Sequence, residues 1–158
     1  MGVAPAQSLS VSFIRGNFLS AGITAKGECG ASESTNCVTL DGLRGATYNE
    51  IIALRGCPMN AVGNPICSGA GQEFRFVYIT GGREANHNPG EQSHANGYKF
   101  DVAPNSGLDS YIRTFPPPAN GPRTRADFDG QALPIYRNPQ SGALYVFEPR
   151  KTLPSGTV

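Results

Sequence analysis

Phe74-Arg75-Phe76-Val77-Tyr78-Ile79-Thr80-Gly81-Gly82 is the stretch whose reading decides the fold. Its aromatic and β-branched run predicts a largely buried strand over Phe74 to Ile79, which Thr80-Gly81-Gly82 ends. The chain then passes into the segment that holds both of its histidines, His87 and His94, and on through Ser93-His94-Ala95-Asn96-Gly97-Tyr98-Lys99-Phe100-Asp101. Asn96-Gly97 is a favoured two-residue turn and folds the chain back on itself. After the turn, Tyr98, Phe100 and Val102 alternate with Lys99, Asp101 and Ala103, so Asp101 leaves the face that packs in the core and points its carboxylate towards a cleft. His87, His94 and Asp101 are therefore the candidate metal ligands. Catalytic zinc takes three such protein donors plus a water.

Outward from this centre, two helices precede the strand. Leu9, Phe13, Ile14 and Phe18 recur at helical spacing between Gln7 and Leu19, with Gly16 and the serines weakening the pattern. Leu40, Leu43, Thr47, Ile51 and Leu54 keep one face from Leu40 to Arg55; Thr47 and Glu50 are spaced as a capping box, Gly56 stands as a stop, and the helix starts between Leu40 and Thr47. On the other side, Ser106 to Phe115 predicts a short helix that Pro116-Pro117-Pro118 must end, since proline lacks an amide donor. Phe115 to Arg125 reads as an extended connection, and Ala132 to Tyr136 with Ala143 to Phe147 as a hairpin. The expected fold is α+β: two N-terminal helices on a small, mostly antiparallel sheet, loop-rich, in a single domain over 1–158 with flexible ends at 1–6 and 153–158.

Composition narrows the function classes. Charged residues make up 16% of the chain, and Gly and Pro, at 20 and 13 residues, together make about a fifth of it, which marks a turn-rich protein. A net charge of +1 supplies no field for nucleic acid or an anionic membrane surface. No apolar stretch approaches the roughly 18 to 20 residues of a membrane span. The four cysteines form two close pairs, Cys29 with Cys37 and Cys57 with Cys67. Four cysteines allow three connectivities; nearest-neighbour bridging closes two polar loops and implies an oxidising compartment, against the alternative of four buried thiols in a cytosolic protein.

Ser93-His94 followed by Gly97 and Asp101 resembles the Ser-x-His-x-x-Gly-x-Ala-x-Asp motif of the M15 peptidases, the zinc D-Ala-D-Ala carboxypeptidase group related in fold to the Hedgehog signalling domain. Ser93 sits one place off, and Lys99 replaces the small residue. Thr80-Gly81-Gly82-Arg83 is similar to that family's Ser-Gly-Tyr-Arg segment. Still nearer is the resemblance to uncharacterised bacterial extracellular proteins with a Thr-Gly-Gly, His and Ser-His-Ala-Asn-Gly-Tyr-Lys-x-Asp run; it covers roughly Leu40 to Phe147.

The resemblance implies a Hedgehog/DD-peptidase-like fold, zinc held by His94 and Asp101, and Arg83 as a substrate-binding group. It further implies a Glu-x-x-His segment near the C-terminus, with Glu148 as general base and a histidine as third ligand. In Glu148-Pro149-Arg150-Lys151, however, Lys151 stands where that histidine belongs, and no histidine follows His94. A protonated lysine repels a divalent cation. Two expectations follow. The first is an extracellular or cell-surface domain with a degenerate zinc site, serving as a non-catalytic binding or assembly module of a cell or filament surface, with a cell-wall peptide or surface protein as partner. The second is an active zinc-dependent hydrolase of cell-wall peptide, its site completed by His87 or by an external residue. Asp127 and Asp129 lack the other oxygen ligands of a calcium loop and read as a turn.

Overall fold

The computed structural model describes residues 2–30, 36–68, 74–83, 96–126 and 129–148. The chain forms two compact units, Met1–Leu108 and Asp109–Val158. Among the described residues the architecture is a mixture of three helices and small sheets stapled by two disulfides, in keeping with the expected α+β class.

In the first unit, α1 spans Val11–Ala21. Ser10 caps it by accepting from the Phe13 amide, which sets its start at Val11 and leaves Leu9 outside the helix but buried. Ile14, Phe18 and Ala21 form its buried stripe. Gly22, at φ 72°, closes it in the left-handed conformation.

The second helix, α2, spans Gly45–Arg55: it starts between Leu40 and Thr47 and ends at Gly56 as the sequence predicts, but the Thr47–Glu50 capping box is not what starts it. The N-cap is Arg44, without a side-chain cap, and Thr47 is buried inside the helix. The helix's first amides are satisfied by another part of the backbone. Gly45 N donates to Gln7 O at 2.8 Å and Ala46 N to Pro5 O at 2.9 Å. Thr47 is thus relieved of capping, because a helix terminus needs its orphan donors met only once. Asn49 fixes the same N-terminal segment by exchanging hydrogen bonds with both backbone groups of Val3.

Strands β1 (Thr24–Ala25), β4 (Tyr78–Gly81) and β5 (Asp101–Val102) make a three-stranded sheet with β4 in the centre, parallel to β1 and antiparallel to β5. Strands β2 (Gly27–Glu28) and β3 (Cys37–Val38) pair in parallel beside the Cys29–Cys37 bridge. Cys57–Cys67 closes the loop after α2. Ile14, Phe18, Val38, Leu40, Tyr48, Ile51, Ile52, Val77 and Ile79 fill the core of this unit.

The central strand starts four residues later than Phe74. Phe74 and Phe76 are 43% and 55% exposed, because Arg75 between them is recruited by α2. Its amide donates to Arg55 O, and its guanidinium to Leu54 O at 2.8 Å and Ala53 O at 3.1 Å, capping the last carbonyls of the helix. The segment therefore crosses the helix end before it enters the sheet.

Helix α3 spans Ser106–Ile112. In the second unit, β6 (Thr124–Ala126) pairs with β7 (Ala132–Pro134), and β8 (Tyr136–Arg137) with β9 (Leu144–Tyr145), both antiparallel. The expected hairpin is present but shorter. Pro134 ends the first half of Ala132 to Tyr136, which pairs with β6, and only Tyr136 and Arg137 meet β9. Three of the five strand pairings among the described residues are antiparallel.

Candidate metal centre

The end of β4 is where the predicted residues begin to assemble. The register places Gly81 opposite Asp101, with an irregularity between Ile79 and Gly81. Asp101 is exposed, as the alternation predicts, and its carboxylate lies over Gly81 in the space that a Cβ there would need. Two residues on, Arg83 leaves the sheet: its amide donates to Thr39 O and its Nη1 to Asp41 O, each at 2.7 Å. Gly42, at φ +84°, has its missing side chain directly under that guanidinium. Arg83, expected to bind substrate, is thus anchored to the turn that follows β3.

The turn over Leu40 to Arg44 is a junction for the whole unit. Glu28 accepts from Arg15 Nε and Nη2 at 3.0 and 2.8 Å, and from the amides of Leu40 and Asp41 at 3.0 to 3.1 Å. Asp41 Oδ1 in turn accepts from Val11 N at 2.8 Å, where a carboxylate also favours the positive end of α1. A buttressed carboxylate, a helix start and the Arg83 anchor therefore share five residues.

The far side of this turn receives Asn96-Gly97, which forms the predicted turn with Gly97 at φ 82°. The Gly97 carbonyl accepts from Arg44 N at 3.0 Å and from Thr47 Oγ1 at 2.7 Å. Arg44 Nε donates to Asn96 O at 3.0 Å, and its guanidinium sits 5.6 Å from the centre of the Tyr98 ring, within cation–π range. A helix N-terminus thus grips the segment that ends in Asp101.

Among the expected ligands and catalytic groups, Asp101 and Arg83 share the first unit, at or just beyond the end of β4. Glu148 belongs to the second unit, where it is exposed and ion-paired with Arg125 at 3.1 Å. His87, His94 and Lys151 lie outside the described residues. The cysteines are excluded as metal donors, since Cys29–Cys37 and Cys57–Cys67 are disulfides with no free thiol among the described residues. Asp101 is a hard oxygen donor that suits a zinc position, but no three His, Cys, Asp or Glu side chains converge among the described residues.

Sequence reasoning missed Glu28, Arg44 and Thr47. Glu28 stands just ahead of the Cys29–Cys37 loop with no motif around it, and Arg44 carries no periodic signal. The capping-box spacing marks Thr47 as a polar group near a helix start but does not point to its partner, Gly97. No protein-family model, curated protein or solved structure matches the chain.

Proposed function

We propose that this chain is a domain of the zinc D-Ala-D-Ala carboxypeptidase type whose metal site is degenerate, acting outside the cell as a non-catalytic binding or assembly module on a cell or filament surface. The observation that carries this reading is at Glu148. The carboxylate that would serve as general base is ion-paired with Arg125, and the residue three places on is Lys151 where the third ligand is required. A cation at a ligand position opposes zinc, and a carboxylate held by an arginine has to give up that partner before it can face a metal-bound water.

Further support comes from the disulfides, which are compatible with an oxidising extracellular location. Among the described residues no helix is long and apolar enough to cross a membrane. The opposing reading, an active zinc-dependent hydrolase of cell-wall peptide, draws on the Asp101 carboxylate beside the end of β4 with Arg83 two residues beyond.

Zinc content of the purified protein and hydrolysis of cell-wall peptides, with and without added zinc, separate the two. The module reading predicts no chelator-sensitive turnover after zinc reconstitution. Stoichiometric zinc together with turnover that a chelator abolishes would overturn it. His94→Ala should abolish zinc uptake in the hydrolase and leave surface assembly of the module intact.

A further inference from the structure

We propose that Thr47 is a positioning residue, the fixed point from which α2 sets the segment carrying Asp101; the inference rests on the reading of a zinc-type site, whether complete or degenerate. Three consecutive residues are held from one helical turn. Asn96 is held through its carbonyl by Arg44 Nε, Gly97 through its carbonyl by Arg44 N and Thr47 Oγ1, and Tyr98 through its ring by the Arg44 guanidinium. The segment is pinned again at its far end, where Asp101 pairs with Gly81.

Thr47 is only 5% exposed, and its hydroxyl departs from habit. A threonine inside a helix commonly returns its hydroxyl to the carbonyl four residues earlier. Here it reaches out 2.7 Å to a residue fifty positions away. Its branched side chain has little rotamer freedom, so the direction of that bond is built in. Gly97 O spends both lone pairs on α2, and a Cβ on Gly97 would fall 2.7 Å from Gly42 O, so the turn is seated tightly against the helix start. Metal ligands fixed before binding spare the ordering cost at the moment of binding.

The test compares wild type, Thr47→Val and Thr47→Ser. Zinc affinity is read by competition with a chromophoric chelator. The state of the turn is read separately, by the rate of tryptic cleavage after Lys99 and by spontaneous deamidation of Asn96 in mass spectra. In the latter, Gly97 N attacks the Asn96 side-chain carbonyl, ammonia leaves and water reopens the ring, which requires a backbone free to approach that geometry.

Loss of the hydroxyl should weaken zinc binding by roughly 10-fold or more, as removal of groups that orient ligands does elsewhere. It should also speed cleavage and deamidation, while Thr47→Ser stays near wild type on all three. Wild-type behaviour of Thr47→Val in cleavage and deamidation, or equal vulnerability of Thr47→Ser, overturns the proposal. If no variant, wild type included, takes up zinc, the hydrolase reading fails, the degenerate-site reading stands, and the two peptide readouts still decide the role of Thr47.

Discussion

The Asp101 carboxylate lies directly over Gly81, its partner across the β4–β5 ladder. A methyl group on residue 81 would occupy the position of Oδ2, so the two residues are mutually determined: the glycine is what allows the carboxylate to lie down over the strand end. Gly81→Ala must lift Asp101 or spread the ladder, and overpacking of this kind costs about 1 to 3 kcal/mol. Urea unfolding checks the stability. The second half of the prediction is that most of the loss disappears in an Asp101→Gly background, where the added methyl has no carboxylate to meet.

Arg83 and Gly42 form a second pair of the same kind. Arg83 Nη1 donates to Asp41 O, and the guanidinium fills the space that a side chain on Gly42 would take. Arg83→Ala should cost about 1 kcal/mol, the size of a typical hydrogen bond, because this one is open to solvent. Gly42→Ala should cost more than that, because it adds the strain of φ +84° to the collision. The double variant should fall short of the sum of the singles, since removing the guanidinium leaves only the backbone strain. Additivity in denaturant titrations would mean that the two side chains do not share the space.

Local chemistry was legible in the sequence where one short segment carried the whole signal. Gly56 ends α2, Asn96-Gly97 turns, Asp101 faces outward and each cysteine bridges its neighbour because each depends on residues adjacent in the chain. The failures are long-range. Thr47 was not a cap because Pro5 and Gln7, about forty residues earlier, supply the carbonyls that cap α2. The central strand was misplaced because Arg75 is drawn to the carbonyls of Ala53 and Leu54, a demand no β-propensity expresses. For the candidate site, the Asn96-Gly97 turn and the outward-facing Asp101 follow from local pattern, whereas the capping-box spacing of Thr47 does not point to Gly97, and Arg44 carries no motif at all.

Reduction should destabilise the protein in a predictable way. The two bridges close short loops, with separations of 8 and 10 residues, and loops of that size limit the unfolded chain by about 2 to 3 kcal/mol each in the chain-entropy account. The effects should differ in place. Opening Cys29–Cys37 loosens β2 and β3, and with them the Glu28 carboxylate that receives the Leu40 and Asp41 amides. Opening Cys57–Cys67 loosens the loop that Tyr48 holds through Gly63 O. Hydrogen exchange in Cys29→Ser/Cys37→Ser should therefore accelerate at Leu40 and Asp41 and spare the middle of α2. Cys57→Ser/Cys67→Ser should leave those two amides protected.

Tyr48 gives the protein a stability loss in alkali that can be assigned to one group. Its ring is fully buried, stacked on Phe18 at 6.0 Å and tilted against Phe13 at 5.3 Å, and its hydroxyl donates to Gly63 O at 2.8 Å. Burial disfavours the phenolate and pushes the pKa from 10.0 up to about 12, against a smaller lowering by a hydrogen bond with Asn17. Below pH 10 the group is neutral in both folded and unfolded chains, so its contribution is fully present. As pH rises from 10 towards 12 the unfolded chain releases this proton first, and stability falls with rising pH until the folded phenol also ionises. Tyr48→Phe should cost about 1 kcal/mol at neutral pH through the lost hydrogen bond, and flatten the decline between pH 10 and 12. Unfolding midpoints across that window, with phenolate absorbance followed in parallel, check both parts; an equally steep decline in Tyr48→Phe would assign the alkaline loss to another group.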